Sequence, residues 1–396
     1  MDKRLSIKIR NISFLLLIPV AFIHGYNENL RFSDQGSVSA AVWLSFTERF
    51  ISDGICRIAV PLFFIISGYL ASESIGQSIN PAKYGNLLRK RFFSLLLPYL
   101  IVSAGGIVLV LLLQSIPYSR PFFNNYAVEG SGFQKWLYVW LLSPVPFQLW
   151  FIRFLMGYFI IFPILYYAIR YLRELLIIPL FLFWANPDFY HHIGNVKILF
   201  FTITFVFCFL TGTDPAPFIS TQKNELEGLF FFALGIYASV HRIPMTGNFN
   251  ARLMVFVSAL WLVWVAFRTG ITLEIPARHY HAHFHAIGCT FSGTILAWYL
   301  YDVFARQIES WNWLRSNAGF AIGVFLFHEP LLTILKKGIV RLGGGSDMAL
   351  LASFLLSPVL AFLISLLFSR LISEKYPGLY KIVTGNRNPR VLPDAS

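Results

Sequence analysis

Charge is what this 396-residue chain lacks most: its 32 Lys and Arg and 19 Asp and Glu make up 13% of it, about half the share of an ordinary globular protein. So few charges cannot cover a water-exposed surface, which excludes a soluble enzyme and equally a charge-rich disordered chain. Cysteine is nearly absent. Cys56, Cys208 and Cys289 lie far apart, in or beside apolar runs, so they form neither a disulfide framework nor a metal-ligand spacing and read as small core residues. Acidic residues are the scarcer sign, leaving a net charge of +13. The basic residues are not gathered into one patch, which excludes nucleic acid as the partner.

What is there instead is apolar: 56% hydrophobic residues, 17% aromatic, with 41 Phe. Apolar stretches run over about 11–26, 54–72, 92–116, 147–169, 174–186, 196–212, 227–241, 251–269, 284–304, 318–336 and 349–372. Crossing a bilayer takes about 20 helical residues, and 174–186 falls short and is stopped by Asn186-Pro187-Asp188. The pattern predicts an all-α polytopic transmembrane bundle of about ten spans plus one short or re-entrant segment. No soluble domain is expected: 1–396 reads as one membrane domain, its core at about 4–372 and 373–396 a cytoplasmic tail. The first run has a basic leader, but His24-Gly25-Tyr26-Asn27-Glu28 offers no signal cleavage site, so it is expected to stay as the first helix.

Three basic tracts set the orientation. Lys3, Arg4, Lys8 and Arg10, then Lys83, Arg89, Lys90 and Arg91, then Arg370, Lys375, Lys381, Arg387 and Arg390 face only Asp2, Glu73, Glu374 and Asp394. Cytoplasmic loops retain Lys and Arg, so both termini are expected inside the cell and the protein in the cell membrane.

Ionisable residues inside apolar runs carry the functional signal, because each costs about 2.5–3.5 kcal/mol at mid-bilayer. His24, Arg57, Arg153, Asp302, His328 and Glu329 are such residues; together they predict a polar cavity. His24 ends the first run, and Arg10 lies about 21 Å down the same helix and about 40° away in rotation. An imidazole there suits proton transfer near neutral pH; an interfacial histidine capping the helix is the plainer alternative. Arg57 follows Asp53 by four residues, so the two can pair on one face. Arg89-Lys90-Arg91 reads as a positive-inside anchor or a clamp on the phosphates of a cytosolic donor, before a span stopped or kinked by Pro98. His328 and Glu329, adjacent on a helix, diverge by about 100° and would line the cavity separately. His279, His281, His283 and His285 alternate, sharing a face as a strand or pairing at four-residue spacing as a helix, without an evident metal partner set. Two segments, Phe63–Tyr69 and Phe230–Tyr237, look faintly alike, and Gly68 permits close helix approach. Gly343-Gly344-Gly345 reads as a tight turn.

The order Arg10…His24, then Arg57-x3-Pro61-Leu-Phe63-Phe64-x2-Ser67-Gly68-Tyr69-Leu70, then Arg89-Lys90-Arg91…Pro98-Tyr99 resembles the membrane acyltransferase family known as acyltransferase-3. So do Gln148-Leu149-Trp150-Phe151-Ile152-Arg153, the Glu227–Gly235 stretch and Phe325-x-Phe327-His328. The resemblance implies a bundle of about ten helices moving an acyl group, usually acetyl from acetyl-CoA, onto sugar hydroxyls of cell-surface glycans or lipid-linked precursors. It implies that His24 acts on the acceptor with Arg10 as its basic partner, and that Arg89 and Arg91 serve the donor. Arg10 lies one turn below the family's usual position, which Ser13 occupies here, and Ser94 stands where a further Arg is common.

The reading is thus an integral-membrane O-acyltransferase with acyl-CoA as donor, no metal, a carbohydrate or lipid-linked glycan as acceptor, and membrane lipid around it. His24 is the base; Arg57 or Arg153 stabilises the oxyanion; His328 and Glu329 line the cavity; Arg89, Lys90 and Arg91 hold phosphates; Trp150 and Phe151 stack on sugar. The rivals are a transporter or flippase, and a non-catalytic scaffold for glycan assembly.

Overall fold

A computed structural model describes residues 2–27, 31–32, 36–37, 41–76, 78–117, 119–120, 133–142, 144–186, 227–274, 279–387 and 389. The apolar run 196–212 lies outside these residues, while the short run 174–186 is the 12-residue helix Glu174–Ala185. The described chain is almost wholly helical, with one short antiparallel pairing of Arg31–Phe32 with Gly36–Ser37. Among the described residues six helices are long and apolar enough to cross a membrane, seven if the bent pair Phe147–Ile160 and Phe162–Leu172 is one span. The all-α polytopic bundle is therefore as expected, but the expected count of ten is not reached among the described residues: Glu174–Ala185 and Gly228–Val240 are shorter apolar helices, and His279–Val303 is not among the six.

Five irregularities in these helices have one cause. Proline lacks an N–H and crowds the carbonyl four residues earlier, which for Pro19, Pro61, Pro98, Pro163 and Pro330 belongs to Leu15, Arg57, Ser94, Phe159 and Leu326. At those places the first span parts at Leu16, Cys56–Ile58 tightens to a 3-10 turn, and Phe92–Leu96 widens to a π-turn. The chain bends by 65° at Ile161, and Glu329 leaves the helix at φ −108°, ψ 140°, the extended region into which a following proline pushes its neighbour.

The chain divides into two compact units, 1–62 with 113–125 and 245–396, and 63–112 with 126–244. In the first, the opening helix packs on Asp347–Lys375 so closely that a Cβ at Gly25 would stand 2.7 Å from Pro358 Cγ. Trp264 and Trp261 of Ala251–Glu274 lie over Gly288 and Gly293 of His279–Val303, where added Cβ atoms would meet the indoles at 2.5 and 2.4 Å. The glycine triplet closes Ala321–Leu342 as a Schellman turn: Gly344 and Gly345 take φ +64° and +71°, and their amides donate to Arg341 O and Val340 O at 3.3 and 3.0 Å. Ser346 then caps the next helix, accepting from Ala349 N at 3.3 Å. Within the expected tail, Pro377–Thr384 is a helix whose Tyr380 is buried, and that burial pushes its hydroxyl up to about 12.

The second unit is built on glycine and aromatic rings. A Cβ on Gly68 would lie 2.0 Å from Phe232 O, and one on Gly235 2.0 Å from Ile65 O. The two segments that look alike in sequence are thus the two sides of one close backbone crossing. Around it pack Phe64, Phe151, Tyr158, Phe159, Phe162 and Phe232, with ring centroids 4.6–6.5 Å apart. Tyr84 hydroxyl donates to Phe159 O at 3.3 Å, the carbonyl that Pro163 leaves open, and to Ile160 O at 2.8 Å.

Candidate active site

The first unit buries polar groups in two places. At the start of the opening helix, Lys8 is wholly buried and its Nζ bonds Asp302 Oδ2 at 2.8 Å and Met245 O at 3.0 Å. It also stands 4.3 Å from the Trp298 ring, a cation–π contact. Lys8 is therefore not a plain cytoplasmic anchor, and Asp302 is its counter-ion, not an open lining group. In the sequence Lys8 is hidden in a basic leader, beside the exposed Lys3 and Arg4 and the half-buried Arg10.

The second place is the far end of that helix. His24 and His328 face each other with ring centroids 5.8 Å apart and planes 37° from parallel. His328 is buried, 3% exposed, and its Nδ1 lies 2.8 Å from Phe325 O. A carbonyl only accepts, so in the neutral ring Nδ1 carries the proton and Nε2 keeps its lone pair. That Nε2 is buried with no hydrogen-bond partner among the described residues. The Pro330 break places this ring: regular helix ends at His328, and Glu329 turns away. The 100° divergence expected for two helical neighbours therefore does not apply; Glu329 accepts instead from Thr333 N and Oγ1 at 3.3 and 2.9 Å.

Lys336, two turns beyond Glu329, reaches back to the opening helix. Its Nζ donates to His24 O at 3.2 Å and Tyr26 O at 2.5 Å, closing the last carbonyls of the helix that carries His24, where a cation also suits the helix dipole. Glu329 and Glu48 are its acidic electrostatic neighbours. Glu48 is itself 3% exposed and held by Asn27, whose backbone N and Nδ2 donate to its two oxygens at 3.1 and 2.7 Å. Asn27 Nδ2 also reaches Leu350 O at 2.9 Å. Lys336, Glu48 and Asn27 do not stand out in the sequence; the seven-residue spacing from Glu329 to Lys336, two helical turns, is the one signal for Lys336.

The other predicted residues fall elsewhere. Arg57 is exposed and is an electrostatic neighbour of His24. Asp53 and Arg57 form no ion pair within 4 Å among the described residues; Asp53 offers its backbone carbonyl to Arg268 Nη1 at 3.0 Å. The expected pairing assumed a regular α-helix, whereas Phe50–Ile55 is a π-turn followed by the 3-10 turn Cys56–Ile58. Arg10 donates to Arg315 O at 3.2 Å, at the opposite end of the first span from His24, so the structure does not bring the two together. His279–Val303 is a helix, which removes the strand reading of the histidine tract. His285 Nδ1 accepts from Trp264 Nε1 at 3.0 Å, while the side chains of His279 and His281 lie outside the described residues.

In the second unit, Arg89, Lys90 and Arg91 form the last turn of Pro81–Arg91, whose start is capped by Asn80 accepting from Lys83 N. Arg89 and Lys90 are exposed, and Arg91 stands 4.7 Å over the Phe159 ring. Arg153 donates to Leu142 O and lies 4.9 Å from the Phe154 ring. Tyr99 donates to the neighbouring Leu141 O at 2.8 Å, so both residues finish the end of Phe133–Leu141. Trp150 and Phe151 are packed with Phe154, Phe63 and Phe64.

The chain is similar to the succinoglycan biosynthesis protein ExoH of Rhizobium meliloti (strain 1021), 23% identical over an alignment covering 98% of this chain and 94% of that protein. No solved structure matches it. The model of the family described as the acyltransferase domain matches residues 12–373, from the middle of the opening helix to the end of the last long one, so the chain belongs to that family and is a membrane acyltransferase.

Proposed function

We propose that this acyltransferase moves an acyl group, acetyl in the simplest case, from acyl-CoA to a hydroxyl of a cell-surface or lipid-linked polysaccharide. The observation that carries the reading is the pair of imidazoles, His24 and His328, facing each other at 5.8 Å where Pro330 breaks the helix. His24 takes the proton of the acceptor hydroxyl as that oxygen attacks the thioester carbonyl. The carbonyl oxygen becomes an oxyanion, for which the positive charge of Arg57 is the nearby guanidinium. The tetrahedral centre then collapses, the C–S bond breaks, and the CoA thiolate takes the proton back from His24. His328 Nε2 is a second lone pair through which that proton can pass, and Lys336 fixes the backbone that carries His24.

The basic turn Arg89, Lys90 and Arg91 holds the phosphates of the donor by charge-assisted hydrogen bonds, entering from a cytoplasmic side that both termini share. A polysaccharide acceptor is supported by the likeness to ExoH, a succinoglycan biosynthesis protein. Purified protein supplied with labelled acetyl-CoA and a glycan acceptor should release CoA and label the glycan. His24→Ala should abolish both while the protein remains folded and inserted; wild-type-like turnover of that variant overturns the role of His24.

A further inference from the structure

The turn that carries His24 out of its helix is fastened to three other helices. His24 stands in the last turn of Leu17–Gly25, where the final carbonyls lack helical partners. Two of these are closed from outside: Ser52 Oγ donates to Phe22 O at 2.7 Å, and Lys336 Nζ donates to His24 O at 3.2 Å. Gly25 is pressed on Pro358 of Asp347–Lys375, where a Cβ would meet Cγ at 2.7 Å. Asn27, two residues beyond that glycine, makes a second set of bonds. Its backbone N and Nδ2 donate to Glu48 Oε2 and Oε1 at 3.1 and 2.7 Å, and Nδ2 also donates to Leu350 O at 2.9 Å. The Ser353 hydroxyl lies between Asn27 Oδ1 and Lys336 O, at 3.4 and 3.3 Å. Asn27, Glu48 and Ser353 are all buried.

The two donors of Asn27 select for a carboxylate. One is on the backbone and one on the side chain, and they point at different oxygens of Glu48, so only an acceptor-only group satisfies both. A glutamine of the same shape would set its own NH2 against one of them. Burying a carboxylate in an apolar bundle is costly, and well-packed apolar side chains would join the helices without that penalty. What the carboxylate adds is direction. Two bonds to one residue leave the turn a single orientation, and the imidazole three residues back is fixed with it. Proton transfer depends on such placing, because the reacting atoms have to stand about 3–3.5 Å apart.

We propose that Glu48, acting through Asn27, is a positioning residue that holds His24 in place opposite His328 for acyl transfer. This rests on the reading of His24 as the base.

Full-length protein in a non-ionic detergent is assayed for CoA release from acetyl-CoA with a glycan acceptor. The kcat, the KM for acetyl-CoA and the thermal midpoint are read for the wild type, E48Q, K336A, E48Q/K336A and H24A. E48Q should lower kcat roughly ten- to hundredfold, the scale of a misplaced catalytic group. Its KM should stay within about twofold of the wild type, since the lost contact serves the transition state alone. Glu48 and Lys336 hold the same turn, so the double variant should lose less than the product of the two single losses. An unchanged kcat in E48Q, a loss carried by KM alone, or a double loss equal to that product overturns the proposal. If E48Q does not fold, S353A, which removes only the shared hydroxyl, decides by the same split: a fall in kcat at constant KM upholds the positioning role, and an unchanged kcat overturns it. Near-wild-type turnover of H24A overturns the reading of His24 as base and this proposal with it. An inactive H24A beside an unimpaired E48Q overturns the role of Glu48 alone.

Discussion

The two units of this chain solve the same problem in opposite ways. The second has helices whose backbones approach until glycine is obligatory, at Gly68 and Gly235, and fills the remaining space with phenylalanine and tyrosine rings. The first keeps a buried ammonium–carboxylate pair at one end and imidazoles, a lysine and two carboxylates at the other. In an apolar medium helices gain nothing from shedding water against one another, so close packing and polar contacts are the forces left. One unit uses chiefly the first, the other chiefly the second. Packing alone supports no chemistry, which is why the reaction is assigned to the polar unit.

That contrast breaks or sharpens in four tests. The largest effect is expected for His24→Ala, a loss of roughly 10²- to 10⁴-fold in acyl transfer, with the thermal midpoint nearly unmoved. Lys8→Met should act on stability instead, by about 3–5 kcal/mol, because it strands Asp302 as an unpaired buried charge. The double variant with Asp302→Leu should recover most of that loss in denaturation assays, and failure to recover would assign Asp302 a duty beyond pairing. Lys336→Ala should slow acyl transfer roughly ten- to hundredfold by freeing the His24 and Tyr26 carbonyls. Lys336→Arg, which can still donate to them, should restore most of the rate. The smallest effect is expected in the second unit: Gly235→Ala pushes a methyl into Ile65 O and should lower stability by about 1–3 kcal/mol, leaving the turnover of each folded molecule intact. A loss of turnover as large as that of His24→Ala would erase the division of labour between the units.

Much of this architecture was legible in the sequence because proline and glycine act locally. Pro98 predicted an irregularity that appears as the π-turn at Phe92–Leu96, and the glycine triplet predicted the turn after Leu342. Gly68 was read as a close-approach residue, and the partner segment was visible as a faint likeness whose meaning was contact, not repetition. His24, His328 and Glu329 were visible as ionisable residues in apolar runs, and the first two do meet. What could not be read was direction. Glu329 leaves its helix under the influence of Pro330, so the helical-wheel argument for it failed. Asp53 and Arg57 do not pair, because one lies in a π-turn and the other in a 3-10 turn, not on one regular α-helix. Lys336 and Glu48 escaped notice since each sits at the edge of an apolar stretch, where a charge reads as interfacial. Arg153 and Phe151 drew attention by type, yet the carbonyl of Leu142 and the ring of Phe64 account for where they sit.

The pairing of Lys8 with Asp302 joins residues 294 positions apart, and this separation governs how the protein can be made. The opening helix enters the bilayer carrying an ammonium group whose counter-ion has yet to leave the ribosome. It must wait, held by water or lipid headgroups, while some three hundred residues are threaded in behind it. The opening helix is therefore among the last to reach its final seat, and a chain cut short before Asp302 would advertise that fault through an unneutralised charge.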